Sequence, residues 1–190
     1  MAVFYVVQHG EKEAHPGDPG LTGLGRRQAA RTGRWLTRAG MRAVVSSPML
    51  RARQTADLVA AAASVPVIED VRLRERMNWD GTQPFTDFLA DWAVCVRDRD
   101  FVPASGDSSR QAAERFRACL TDLAAATPGP AAVCTHGGIT ADLLRTLLGD
   151  QALPATLIDE GIPPCAITVL SDLAVVEIAS VRHLGHQVCQ

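Results

Sequence analysis

The chain alternates short apolar runs with longer segments of helical period. Val3 to Val7 is continuously apolar and rich in β-branched residues, the pattern of a strand covered on both faces, and it runs directly into Gln8-His9-Gly10-Glu11. After the polar loop from Glu11 to Gly20, Thr22 is placed to cap a helix that the 3.6-residue period carries to about Ala39, with Gly40 as its stop. Leu21, Leu24, Gly25, Gln28, Ala29, Thr32, Gly33 and Leu36 share one side of this helix, and Arg27, Arg31, Arg34 and Arg38 share the other. The small residues suit close packing on a sheet; the arginines suit water. A second strand is predicted over Arg42 to Ser46, a helix over about Leu50 to Ala63 after the Ser47-Pro48 turn, and a third strand over Pro66 to Glu69.

This β-α-β-α-β opening predicts an α/β fold, a three-layer α-β-α sandwich whose mostly parallel central sheet carries helices on both faces. The rhythm breaks between Leu73 and Gly106. There Asn78-Trp79-Asp80-Gly81 and Pro103 to Gly106 read as loops around a helix over Phe85 to Arg97, giving a small cap insertion over about 76–106. Ser108 with Gln111 three positions on is a capping-box signal for a helix whose apolar stripe is Ala112, Ala113, Phe116, Cys119, Leu120 and Leu123, ended by Pro128-Gly129-Pro130. Ala131 to Cys134 is the next strand, followed by Thr135-His136-Gly137-Gly138 and a helix from about Ile139 to Leu148. Strands over about Ala166 to Leu170 and Ala174 to Ile178 complete the sheet. With 190 residues, no repeat and no linker, the pattern predicts a single domain over 1–190.

Composition narrows the function classes. A hydrophobic fraction of 47% and a formal charge of −2 describe an ordinary globule without bulk affinity for nucleic acid, and the arginine face has no aromatic platform beside it. No stretch approaches the ~20 apolar residues of a membrane span, and Ala2 to Val7 lacks the basic leader and length of a signal peptide. The five cysteines are widely spaced without a CxxC pair, which favours free thiols in a reducing compartment over a disulfide frame or zinc site. The expectation is a cytoplasmic protein with no metal, no cofactor, no nucleic-acid partner and no membrane.

Candidate chemistry lies at the strand ends. His9 and His136 each follow an apolar strand and precede a glycine, and in an open α/β sheet the C-terminal strand ends face a common crevice. A lone histidine there is as readily a hydrogen-bonded structural residue; two weaken that reading. Arg51 stands in the first turn of the helix after Ser46-Ser47-Pro48, where its fork, helped by free N–H groups at the helix start, suits phosphate oxygens. Arg53, two positions on, reads as a surface ion pair.

The chain resembles the histidine phosphatase superfamily, also called phosphoglycerate mutase-like, over nearly its whole length. The resemblance rests on Gln8-His9-Gly10-Glu11, Leu21-Thr22-Gly23-Leu24-Gly25-Arg26-Arg27-Gln28-Ala29, Ser47 to Ala56 with Arg51 at its centre, Leu73-Arg74-Glu75 with Trp79-Asp80-Gly81, and Thr135-His136-Gly137-Gly138, in the family's order. It implies a metal-independent phosphomonoesterase acting on a small phosphorylated metabolite. Neutral His9 would attack phosphorus, Arg51 and His136 would stabilise the equatorial oxygens, and Glu75 would donate the proton and later activate water, with Asp80 as the alternative acid. Gln8, Gly10, Thr22 and Gly137 would join Arg51 around the phosphate. Trp79 reads as a packing residue.

Gln8 stands where the family has arginine. Exchanging a charge-assisted hydrogen bond for a neutral one costs roughly 5- to 100-fold in rate if felt only in the transition state. Lys12, the chain's single lysine, could return a cation to the pocket. The alternatives are a phosphoglycerate mutase-type phosphotransferase and a degenerate phosphate-binding or regulatory module with little turnover.

Overall fold

A computed structural model of the chain describes residues 1–185, the side chain of Asp159 apart. Six strands form one sheet: β1 (Val3–Gln8), β2 (Ala43–Ser46), β3 (Val67–Glu69), β4 (Pro130–Thr135), β5 (Ile167–Ser171) and β6 (Ala174–Ser180), in the order β3-β2-β4-β1-β5-β6. The first four in that order run parallel; β5 is antiparallel to β1, and β6 to β5. The helices are α1 (Gly23–Leu36), α2 (Leu50–Ala63), α3 (Phe85–Arg97), α4 (Ser109–Ala126), α5 (Gly137–Leu148) and the short α6 (Ala155–Asp159).

The continuous apolar strands are explained by their two covered faces. Phe4 and Val6 of β1 point with Val45, Val133 and Leu170 into a core closed by Phe116 and Leu120 of α4 and Ile139 and Leu143 of α5. Val7 points the other way, with Val44, Ala132 and Cys134, against Leu36 of α1 and Ala56, Val59 and Ala60 of α2. This is the expected three-layer sandwich. Thr22 caps α1 by accepting from Gly25 N at 3.0 Å, and the last turn tightens to a 3-10 turn at Thr37–Ala39 before Gly40 at φ 66°. Ser108 and Gln111 form the reciprocal capping box of α4.

The insertion before α4 carries its own apolar cluster, Met77, Phe88 and Cys95 with Trp79, Trp92 and Phe101 around them. One expectation needs correction. Arg31 is not on a solvated face: it is half-buried and its Nε donates to His183 O at 2.9 Å. The segment between α5 and β5, which carries no clear period, contains α6. Cys95, Cys119, Cys134 and Cys165 are free and buried, and burial pushes the Cys119 and Cys165 thiols up to about 12; Cys189 lies outside the described residues. Among the described residues no helix is long and apolar enough to cross a membrane.

Candidate active site

Each of the four parallel strands delivers one part of the site at its C-terminal end. β1 ends at Gln8 and His9, β4 runs into His136, β2 into Ser47 and the first turn of α2, and β3 into a turn over Val71–Leu73 that leads to Glu75. Adjacent strands therefore place residues far apart in sequence around one crevice. The imidazoles of His9 and His136 meet edge to face with centroids 5.3 Å apart.

The His9 ring is fixed by its own neighbour. Nδ1 lies 2.8 Å from Gly10 O, and because a carbonyl only accepts, Nδ1 carries the proton and Nε2 keeps its lone pair. Arg51 Nε donates to that Nε2 at 3.2 Å, and Gln8 Nε2 lies 3.4 Å from it. Burial, then the Arg51 charge, holds the His9 pKa down to about 3, so the ring is neutral at physiological pH. Gly10 makes the placement possible: a Cβ there would stand 2.5 Å from Gly25 O, and one at Gly25 would stand 2.0 Å from Glu11 O. Thr55 Oγ1 accepts from Gly10 N at 3.0 Å and holds the loop against α2.

His136 is fully buried. Its Nε2 lies 2.8 Å from Ser47 Oγ, which also accepts from Met49 N. The Ser47 hydroxyl can therefore donate to Nε2, leaving the proton on Nδ1. Burial, then Arg51, keeps this ring well below the ordinary histidine value.

Arg51 is 3% exposed and reaches Asn78 Oδ1 at 3.2 Å and Met49 Sδ at 3.6 Å, with Asp18 Oδ1 3.7 Å from its NH1. Arg51 NH1, Gln8 Oε1 and His136 Nδ1 are three of the four buried side-chain polar atoms that lack a hydrogen-bond partner among the described residues. Buried polar atoms are ordinarily paired, so three unpaired ones near His9 concentrate unused hydrogen-bonding capacity at this crevice.

Glu75 is half-buried at the first turn of α5, accepting from Gly138 N at 2.9 Å, Ile139 N at 2.8 Å and Arg76 N at 2.7 Å. It borders two cavities. The smaller, about 190 Å³, is lined by His9, Lys12, Arg51, Asn78 and Trp79; the larger, about 280 Å³, by Gln8, Arg76, Trp92, Gly137 and Gly138. Trp79 packs on Phe85 with centroids 4.8 Å apart while facing the smaller cavity.

Not every residue named from sequence converges here. The Thr22 hydroxyl is engaged by Glu11 Oε1 at 2.7 Å and Gly25 N, so it serves the helix cap and lines neither cavity. Asp80 is exposed, accepts from Thr82 and borders neither cavity, and those hydrogen bonds hold its pKa low. The start of α2 is not an open row of N–H groups either, because Asp18 accepts from Leu50 N at 3.0 Å. Lys12 Nζ donates to Glu13 O at the mouth of the smaller cavity, and burial, then Arg51, lowers its pKa. Arg53 pairs with Asp57 and Glu69 at the surface, as expected. Asp18, Asn78, Ser47 and Thr55 were missed. Only Ser47 carried a signal, as the first residue of the segment leading to Arg51.

Comparison with known proteins gives the same picture. Residues 4–172 match the model of the histidine phosphatase superfamily, branch 1. A probable phosphoglycerate mutase of Klebsiella pneumoniae (strain 342) is 30% identical over 170 residues, covering 82% of this chain and 77% of that one. A glucosyl-3-phosphoglycerate phosphatase of Mycolicibacterium vanbaalenii is 30% identical over 164 residues, covering 76% and 73%. The solved complex of a mycobacterial glucosyl-3-phosphoglycerate phosphatase with inorganic phosphate superposes with a TM-score of 0.77 at 25% identity, over 95% of this chain and 98% of that one. Two histidines meeting at the ends of neighbouring parallel strands, in a fold and sequence matched over this length, place the chain in the histidine phosphatase superfamily, branch 1.

Proposed function

We propose that the protein is a cytoplasmic phosphomonoesterase that hydrolyses a small phosphorylated metabolite through a phosphohistidine on His9. The observation that carries this reading is the His9 ring, neutral, with its Nδ1 proton spent on Gly10 O and its Nε2 unprotonated, its lone pair held only by the hydrogen bond from Arg51 Nε. Arg51 leaves that lone pair for the phosphoryl oxygens when the ester arrives, and Gln8 Nε2, His136 Nδ1 and Arg51 NH1 supply further donors to the same oxygens. The P–O bond to the alcohol breaks as the N–P bond forms and Glu75 gives a proton to the leaving oxygen; in the second half it takes a proton from the attacking water as the new P–O bond forms and the N–P bond breaks, releasing phosphate and restoring neutral His9. Lys12 draws the dianion to the cavity mouth.

A mutase reading is favoured by the similarity to the probable phosphoglycerate mutase of Klebsiella pneumoniae. It shares the first half-reaction and differs in the acceptor. The deciding experiment is incubation with an aryl phosphate and, separately, with phosphoglycerates. Hydrolysis that disappears in His9→Ala is expected. Phosphoryl exchange between glycerates without hydrolysis would establish the mutase, and phosphate binding without either reaction would establish a module that only binds.

A further inference from the structure

Arg76 follows Glu75 directly, yet it lines no phosphate contact and belongs to a different network. It is 3% exposed, and its NH1 donates to both Asp142 oxygens at 2.8 Å, in a pair whose side chains are 2% and 1% exposed. Its guanidinium carbon lies 4.2 Å from the centre of the Trp92 ring, so the same side chain also touches the insertion. Asp142 lies on α5, four and three positions beyond the Gly138 and Ile139 N–H groups that hold Glu75, and so on the same face of that helix. Two successive residues thus grip one helix face: residue 75 with its carboxylate at the first turn, residue 76 with its guanidinium one turn on. The third donor to Glu75 is the backbone N–H of Arg76 itself.

We infer that the buried Arg76–Asp142 pair is a positioning device for the proton-transfer carboxylate. By fixing residue 76 against α5, it aligns Glu75 with the phosphohistidine site, because His136 is the N-cap residue of the helix it grips. This inference rests on the reading of Glu75 as the acid and base.

The rest of the structure separates alignment from folding. Arg115 of α4 already holds the loop from the other side, donating to Arg72 O, Arg74 O and Glu75 O, and Thr135 Oγ1 donates to Leu73 O at 2.7 Å. The chain up to Glu75 O therefore stays in place without the ion pair. Gly138 belongs to the device as well: a Cβ there would stand 2.6 Å from the Trp92 ring and 2.7 Å from Glu75 Oε1, so only glycine lets the carboxylate and the ring approach the helix together. Asp142 is further bonded by Ser109 Oγ at 2.6 Å, and Arg99 Nε donates to that same hydroxyl at 3.0 Å, which keeps the aspartate fixed when Arg76 is changed.

The test exploits leaving-group chemistry. A proton donor matters for an alkoxide leaving group and little for p-nitrophenolate, whereas loss of folded protein lowers both turnovers alike. The double variant Arg76→Met/Asp142→Leu replaces the pair with apolar volume and is measured beside Asp142→Asn, with the thermal midpoint recorded for each. For the double variant, kcat on an alkyl phosphate is expected to fall by about 30-fold or more, a part of the ~100-fold or greater worth of general acid catalysis, against less than about 3-fold on p-nitrophenyl phosphate. Asp142→Asn, which keeps the acceptor oxygen and loses the charge, should show the same split more weakly. Equal loss on the two substrates, or no loss, overturns the inference. Glu75→Gln is the control for the reading beneath it: if that variant shows no leaving-group split, Glu75 is not the acid and both claims fall. If it shows the split while the double variant does not, the positioning role alone falls.

Discussion

His9 and His136 stand at equivalent places, each at the end of a parallel strand and before a glycine, yet the structure gives them opposite surroundings. His9 is tied by Nδ1 to its own chain and turns Nε2 toward Arg51 and the smaller cavity. His136 is fully buried, is bonded by Nε2 to Ser47 and has Nδ1 without a partner. The strand-His-Gly pattern fixes where an imidazole goes; the hydrogen bond made by its second nitrogen fixes what it can do. On the proposed function, His9 is the nucleophile and His136, with a proton on its unpartnered Nδ1, is a donor.

The comparison breaks most sharply by removing each ring in turn. His9→Ala should lower turnover of an aryl phosphate by about 10⁴-fold or more, because the covalent route is lost. His136→Ala should cost about 10²- to 10³-fold, the worth of one donor to developing charge, while the phosphohistidine still forms slowly. Comparable losses in the two variants, measured by steady-state kcat, would remove the distinction between nucleophile and donor.

A smaller effect sharpens the His9 side. Gln8→Arg should raise kcat/KM by about 5- to 100-fold, since a charged donor replaces a neutral one beside the attacking nitrogen. Lys12→Met should raise KM with little change in kcat, because Lys12 is an exposed residue lining the smaller cavity and makes no hydrogen bond to His9; an unchanged KM would make it a surface lysine.

Smallest is the pH dependence of stability. His9 has a folded value of about 3 against 6.5 unfolded, so below pH 6.5 the unfolded chain binds the extra proton. Its contribution is complete above pH 6.5 and is lost as pH falls from there toward 3. His136 acts in the same sense. Asp142 acts in the opposite sense: desolvation raises its carboxyl from 3.8 to about 6, so its contribution is complete below 3.8 and is lost as pH rises through 6. Denaturant midpoints measured between pH 7.5 and 4.5 should therefore fall with acid, and less steeply in His9→Ala. An identical slope in that variant would mean that the His9 ring titrates alike in the folded and unfolded chain.

The fold was legible wherever local pattern and tertiary demand agree. The α2 and α3 boundaries follow the apolar period from Leu50 and Phe85, and the sheet follows from β-branched runs too continuous for a one-sided strand. His9, His136, Arg51 and Glu75 converge because strand ends in such a sheet converge. Thr22 and Asp80 misled because side chains that bond within their own turn look, in sequence, like those that face a ligand. Asp18 and Asn78 could not be read: Asp18 reaches Leu50 from 32 positions away and Asn78 reaches Arg51 across 27, through loops without a period. Arg76–Asp142, 66 positions apart, depends on how the insertion lies on α5, which no local signal records.

The most direct measurement of the central claim is to trap the intermediate. Rapid mixing with a ³²P-labelled phosphate ester, alkaline quench and peptide mapping should give an acid-labile, base-stable label on the peptide containing His9, retained in His136→Ala and absent in His9→Ala. Label on the His136 peptide, or sustained hydrolysis by His9→Ala with no labelled peptide, would contradict the account.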